Sequence, residues 1–408
     1  MMFRSSRGGA AMGIAVMVSA LSATSGYAQA PAEPAGTRAG AIVEQQAAKA
    51  QRLTPYQPGK LEAWVQKIDE HLSATEVKWH PFYGTAYQGA GPTLGAGYVF
   101  HTGDYDSLDV RASMSINQSK RVEAEYRWPR LLARRGVFRV LGGWREGVDQ
   151  NFFGIGTAET SAQDRTAFDF RQAYGSARLD VRPARGMLLF GGGVEYLRFE
   201  QRREAGSSFE QRYTPATLPG VGATVNYVHT RATAAIDSRP ATGYAKRGGY
   251  YGVTAHRYDD AGSPFSFRRV DYDVVQHLPV LRDAWVLSLR GRVQTTYASA
   301  DQTVPFFMLP WLGNARTLRG FSSMRFRDRN SLLLSAEWRV LVSLFADAAL
   351  FYDAGKVTGR RADLNLTGLK SNYGIGFRLH TPATTPLRID FARGNEGFVV
   401  VLGSSAVF

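Results

Sequence analysis

The sequence predicts an all-β chain: a 16-stranded antiparallel transmembrane β-barrel with one long loop and a short N-terminal helix. Three observations predict it. From about Val77 to Phe408 apolar and polar residues alternate with period two. The polar positions carry several charges per strand, as in Asp109 and Arg111, then Arg121, Glu123, Glu125 and Arg127. A soluble sandwich does not spend a central strand that way, whereas a membrane barrel turns its apolar side chains to lipid and its polar ones to an aqueous lumen. Beyond Ala30 there is no run of ~18 apolar residues, so any crossing of a bilayer falls to strands.

Composition narrows the function classes. The 408 residues include no cysteine, which excludes a disulfide framework and a thiolate metal site. The net charge of +14 suits an anionic partner. The basic residues are spread along the chain and form no nucleic-acid module, so nucleic acid is not expected. The seven histidines are scattered. No Ser/His/acid arrangement and no metal-ligand spacing stands out. The expectation is a protein that is not an enzyme, with no catalytic residue, cofactor or metal.

Taken in order, residues 1–30 read as a secretory signal peptide. Arg4 and Arg7 form a positive start, Gly8 to Ala23 a short apolar segment, and cleavage follows Ala28 or Ala30. Residues 31–76 read as a periplasmic tail. Within it Pro31 to Gly59, rich in Ala, Gln and Pro, reads as mobile. Residues 60–73 place Leu61, Trp64, Val65, Ile68 and Leu72 at helical spacing and predict one amphipathic helix. Residues 77–408 are the barrel. Alternation gives eleven strands before the long loop and five after it.

The connection from Tyr297 to Asn330 is too long and too apolar for an ordinary surface loop. It carries Phe306, Phe307, Leu309, Trp311, Leu312, Leu318 and Phe321 together with five arginines between Arg316 and Arg329. Such a loop must dock, and its arginines need acidic partners where they leave water. In the strand that follows, Trp338 faces lipid, so Glu337 and Arg339 face inward. In the next, Leu350 and Tyr352 face out and Asp347, Phe351 and Asp353 face in.

The loop tip reads Leu318-Arg319-Gly320-Phe321, and Phe351-Tyr352-Asp353-Ala354-Gly355 follows. Ala336-Glu337-Trp338-Arg339, Gly374 to Arg378, Pro386 to Asp390, Asp237-Ser238-Arg239-Pro240 and Asn151 to Gly156 accompany them. This set resembles the BamA/TamA superfamily of outer-membrane proteins, the bacterial surface antigen type, in a short form without POTRA domains. The resemblance implies a loop inserted into the lumen, with Arg319 on the inner wall against Asp353 first and Glu337 second, and Gly355 beside them. It also implies a Gram-negative outer-membrane location and a role in protein insertion, translocation or membrane assembly through a lateral seam. The alternative is a passive pore plugged by its long loop. Implied partners are outer-membrane lipids including lipopolysaccharide, an unfolded or secreted polypeptide, a separate periplasmic partner, and the assembly machinery that inserts the barrel itself. Gly403 and Phe408 read as the terminal assembly signal, with Phe398, Val400, Leu402, Ala406 and Phe408 on one face.

The mature protein is expected to begin at Gln29 or Pro31. Intact-mass measurement on protein from the outer-membrane fraction checks this, and an uncleaved N-terminus would refute it.

Overall fold

A computed structural model describes residues 38–52, 78–84, 89–183, 186–202, 207–403 and 405–408. The expected signal peptide and the expected helix at 60–73 lie outside the described residues. The chain divides into two units, Met1–Pro58 and Gly59–Phe408. In the first, a helix runs over Arg38–Arg52 where the sequence reading expected a mobile tail. Composition explains the difference. The segment RAGAIVEQQAAKAQR is almost entirely Ala, Gln, Glu, Lys and Arg, which are strong helix formers even where few large apolar residues mark a face.

The second unit is one antiparallel sheet of sixteen strands in chain order. Its first eleven are β1 Trp79–Gly84, β2 Thr93–His101, β3 Ser107–Ser115, β4 Lys120–Arg130, β5 Gly136–Phe152, β6 Thr166–Val181, β7 Leu188–Arg202, β8 Thr224–Asp237, β9 Gly248–Asp260, β10 Phe267–Leu281 and β11 Trp285–Tyr297. The long connection follows, with a two-stranded pair of its own, β12 Trp311–Leu312 and β13 Phe326–Arg327. The sheet resumes as β14 Asn330–Ser343, β15 Ala346–Thr358, β16 Lys370–Leu379, β17 Leu387–Gly394 and β18 Gly397–Gly403. β14 pairs directly with β11, so the connection leaves the wall and returns to the neighbouring position. We call the end where β1 starts and β18 finishes the base, and the opposite end the loop end.

The two faces of the sheet have the polarity of a membrane barrel. Leu289, Trp338, Leu350 and Ile375 stand exposed on the outside. Inside, charges meet charges: Arg111 reaches Asp109 at 2.9 Å, Glu123 at 2.5 Å and Glu125 at 3.1 Å across β3 and β4. In lipid this is the stable arrangement, because backbone groups pair within the sheet and charged side chains find partners in the lumen.

Strand ends depart from the expected ones. β5 continues to Phe152, seven residues past the expected end at 145, through a register shift between Gly147 and Gln150. Above the bilayer a hairpin is limited by pairing and not by membrane thickness, so the alternation of the sequence understates its length. At the base, β18 stops at Gly403. Period-two facing ends with it, and Phe408 does not join Phe398, Val400 and Leu402 on the outer face. Its ring lies beside that of buried His277, centroids 6.3 Å apart, on the lumen side.

The loop end is filled by an apolar core. Phe152, Phe168, Phe170 and Phe199 project inward from β5, β6 and β7, and Phe209, Phe306 and Leu309 come from the connections. The ring of Phe306 sits 5.1 Å from that of Phe152 and 4.9 Å from that of Phe168.

Leu289→Arg, at mid-height on the outer face of β11, is expected to cost about 2–4 kcal/mol in liposome-reconstituted protein. Reversible denaturant unfolding followed by tryptophan emission checks it, with Leu289→Met as the near-neutral control.

Candidate functional site

The long connection folds back into the lumen because its composition leaves no better place for it. Leu312, Leu318, Phe321 and Phe326 pack with Leu333 of β14 and Val357 of β15 in a second buried core. Phe321 and Phe326 meet edge to face at 5.2 Å. This apolar seat carries Arg319, the next residue after Leu318, down against the inner wall.

Arg319 is fully buried. Its Nε and Nη2 donate to the two oxygens of Asp353 at 2.8 and 2.9 Å, the two-pronged geometry that a planar guanidinium allows. Its Nη1 donates to Glu337 Oε2 at 2.8 Å and lies 3.6 Å from Asp390 Oδ2. The guanidinium lies over the ring of Phe351, 3.5 Å from its centroid. Burial on its own would lower the Arg319 pKa, but the Asp353 and Glu337 carboxylates outweigh it and hold it above its ordinary value. Asn372 Nδ2 also donates to Asp353 at 2.9 Å.

Two further arginines complete the cluster. Arg378 bridges Glu337 at 2.8 Å and Asp390 at 3.0 Å, and Arg388 reaches Asp390 at 3.1 Å. Three guanidiniums thus face three carboxylates in a dry interior, a balance that burial demands. Glu337, Asp353, Arg378 and Asp390 come from β14, β15, β16 and β17, so the loop tip is tied to four consecutive strands. The sequence reading named Arg319, Asp353 and Glu337 together. It did not name Asp390, Arg378, Arg388 or Asn372 as partners, although inward alternation along β16 and β17 marks all four.

Two glycines permit the fit. A Cβ on Gly320 would stand 2.6 Å from Asn372 Cβ and 2.9 Å from Gly394 N, so only glycine lets the tip press against β16 and β17. A Cβ on Gly355 would stand 2.6 Å from Leu332 O and 2.9 Å from Leu312 Cδ1, so its bare backbone receives the β12 side chain. Gly403 and Phe408 lie elsewhere, at the base.

The rest of the connection is pinned by single arginines. Arg325 donates to Glu396 at 2.9 Å and to Thr160 Oγ1 at 2.9 Å. Arg327 donates to Phe306 O at 3.0 Å, among the rings of Phe152, Phe168 and Phe306. Burial pulls its pKa down to about 10. The 151–160 connection reaches across the lumen: Gly156 N donates to Arg327 O at 2.9 Å and Thr157 Oγ1 to Val357 O at 2.9 Å. Among the described residues no group of His, Cys, Asp and Glu could hold a metal. The cluster holds the loop in place.

Residues 82–397 match the Omp85 superfamily domain. A comparison with curated proteins finds no match. The fold is similar to that of BamA from Haemophilus ducreyi lacking POTRA domains 1–3, with a TM-score of 0.60, 14% identity, and coverage of 80% of this chain and 70% of that one. It is also similar to CdiB from Escherichia coli, with a TM-score of 0.56, 12% identity and coverage of 79% of this chain. The alignment spans 61% of the CdiB chain.

Arg319→Ala leaves Asp353 and Glu337 buried beside one cation fewer and is expected to cost about 3–5 kcal/mol. Gly320→Ala should release the tip by collision with Asn372. Both are checked by heat-modifiable gel mobility and by protease sensitivity of the 309–330 segment in folded protein. Wild-type behaviour in both variants would remove the anchoring role.

Proposed function

The chain belongs to the Omp85 superfamily, whose barrels reside in the Gram-negative outer membrane, and we propose that it inserts or translocates polypeptide there through the seam between β1 and β18. One observation carries this reading: the two sides of that seam are held unequally. On the β18 side the loop grips the wall. Arg319 reaches Asp390 of β17, Arg325 pairs with Glu396 in the β17–β18 turn, and Arg316 Nη2 donates to Ser405 Oγ at 3.0 Å. On the β1 side support is slight. β1 has six residues, about as many as the seven of β18, but it is tied by His80 to Asp109 of β3 and not to the loop, and Pro81 within it offers no N–H.

A short edge strand lacking a donor, in lipid where water cannot substitute, is costly to leave unpaired and receptive to an incoming strand. Such a strand could add to the exposed edge by β-augmentation. The fixed β18 side would serve as the template and β1 as the moving leaf. Outer-membrane lipid, lipopolysaccharide and a separate periplasmic protein are the expected associates of this activity. The plugged-pore alternative gains less support, since the aromatic core at the loop end weighs against steady conduction.

The test uses the absence of cysteine. A scan of pairs between Trp79 and Pro81 on β1 and Phe398, Val400 and Leu402 on β18, all exposed on the outer face, should yield disulfides. A locked seam should abolish delivery of a reporter polypeptide to the outer membrane, with recovery on reduction. A control disulfide between the register partners Ala392 of β17 and Val399 of β18, one strand in from the seam, should leave delivery intact. Locked protein that works as well as reduced protein would defeat the proposal.

A further inference from the structure

We propose that the base of the lumen is a binding site for an acidic polypeptide segment. A cavity of about 660 Å³ opens there inside the wall, bordered by β5 to β11, by the turns after β4 and β8, and by Phe408. It has the size of a ligand site. Its lining carries seven arginines and three aspartates, an excess of four positive side chains.

The aspartates do not neutralise the arginines; they position them. Asp180 is shared by Arg139 at 3.0 Å and Arg178 at 2.8 Å. Asp237 is shared by Arg182 and Arg239, each at 2.9 Å. Asp273 holds Arg290 at 2.7 Å. Arg134 and Arg135, in the turn after β4, take part in no ion pair among the described residues. Arg139, Arg178 and Arg182 keep side-chain exposures of 34%, 32% and 40%, in contrast to the complete burial of Arg319. Arg178 and Arg182, each held by one aspartate, are preorganised for further oxyanions, whereas Arg139 also lies 4.0 Å from Glu125.

The spacing favours a chain over a single phosphate. The arginine groups on Asp180, Asp237 and Asp273 stand on β6, β8 and β10, two strands apart each, hence on the order of 10 Å between neighbours. One phosphate can engage one such group. A peptide with carboxylates at intervals can engage several, while Val137, Leu189 and Val275 on the same wall accept its aliphatic parts. The inference rests on the reading that this chain handles polypeptide, and adds that acidic segments dwell at the base before reaching the seam.

The test is fluorescence anisotropy on the full chain in detergent micelles, with a dye-labelled Glu-Ser repeat peptide and its Gln-Ser counterpart. The Glu-Ser peptide should bind about tenfold more tightly, and high salt should weaken it. Arg134→Gln with Arg135→Gln should weaken it about fivefold. Neither residue carries an ion pair, so heat-modifiable mobility should stay that of wild type. Equal binding of both peptides, or binding indifferent to the double change, overturns the site. Displacement by inorganic phosphate or lipopolysaccharide micelles at concentrations below that of competing peptide overturns the peptide assignment. The readout is affinity and not transport. Loss of acidic-peptide binding with a working seam therefore sinks this inference alone, and retained binding with a functionally idle seam sinks the gating proposal alone.

Discussion

A guanidinium taken out of water is held best by carboxylates, and that pairing at Arg319 sets the position of the long connection and of four strands. Its partners are Asp353, Glu337 and Asp390, on three different strands, and Arg378 and Arg388 bring the cluster to three charges of each sign. Pairwise attraction alone does not explain why such a cluster persists, since desolvation offsets much of it. What it supplies is specificity. A tip displaced by one residue would leave a buried carboxylate without a cation, so alternative seatings of the loop are costly. The apolar side chains of Leu318 and Phe321 provide the burial, and the ions decide which burial is allowed.

The consequences for mechanics follow from where the anchors fall. The ion pairs of the loop tip lie on β14 to β17 and on the turn before β18. The 151–160 connection is tied to β13 and β15 through Gly156 and Thr157. Together they brace the later part of the wall across the lumen. Among the described residues none of these ties falls on β1 to β4. The proposed seam thus has its braced side at β18, whereas none of these ties falls on β1, six residues interrupted by Pro81.

Much of this was legible in the sequence, and the legible part has a common cause. Period-two alternation is imposed on every crossing strand by lipid outside and charge inside, so strand number and facing follow from it. That is why alternation alone faces Glu337 and Asp353 into the lumen, while their place beside Arg319 is what the resemblance of the loop tip implies. The illegible part lies where that two-sided constraint lapses. Above the bilayer β5 runs on to Phe152 with no lipid to enforce a pattern. Past Gly403 the chain leaves the ladder and Phe408 turns inward. The Arg38–Arg52 helix rests on propensity without a strong apolar face, which a reading based on periodicity passes over. Asp390, Arg378 and Arg388 could have been found, because alternation along β16 and β17 faces them into the same lumen. The cavity at the base could not. Its arginines are far apart in the chain and are gathered only by strand register.

The two ends of the lumen are consequently different solvents. At the loop end aromatic rings and a charge-balanced cluster exclude water, and even Arg327 is held by a carbonyl and by rings, its pKa drawn down by burial to about 10. At the base arginines outnumber aspartates and remain partly exposed, so their field reaches into the cavity and is moderated by salt. Arg290 connects the two regions: it lines the cavity, pairs with Asp273, and its Nη1 lies 3.5 Å from Arg316 O at the loop tip. Arg316 in turn donates from Nη2 to Ser405 Oγ at 3.0 Å. Arg290 and Arg316 thus form a line of contacts from the arginine-lined cavity to the segment that follows β18.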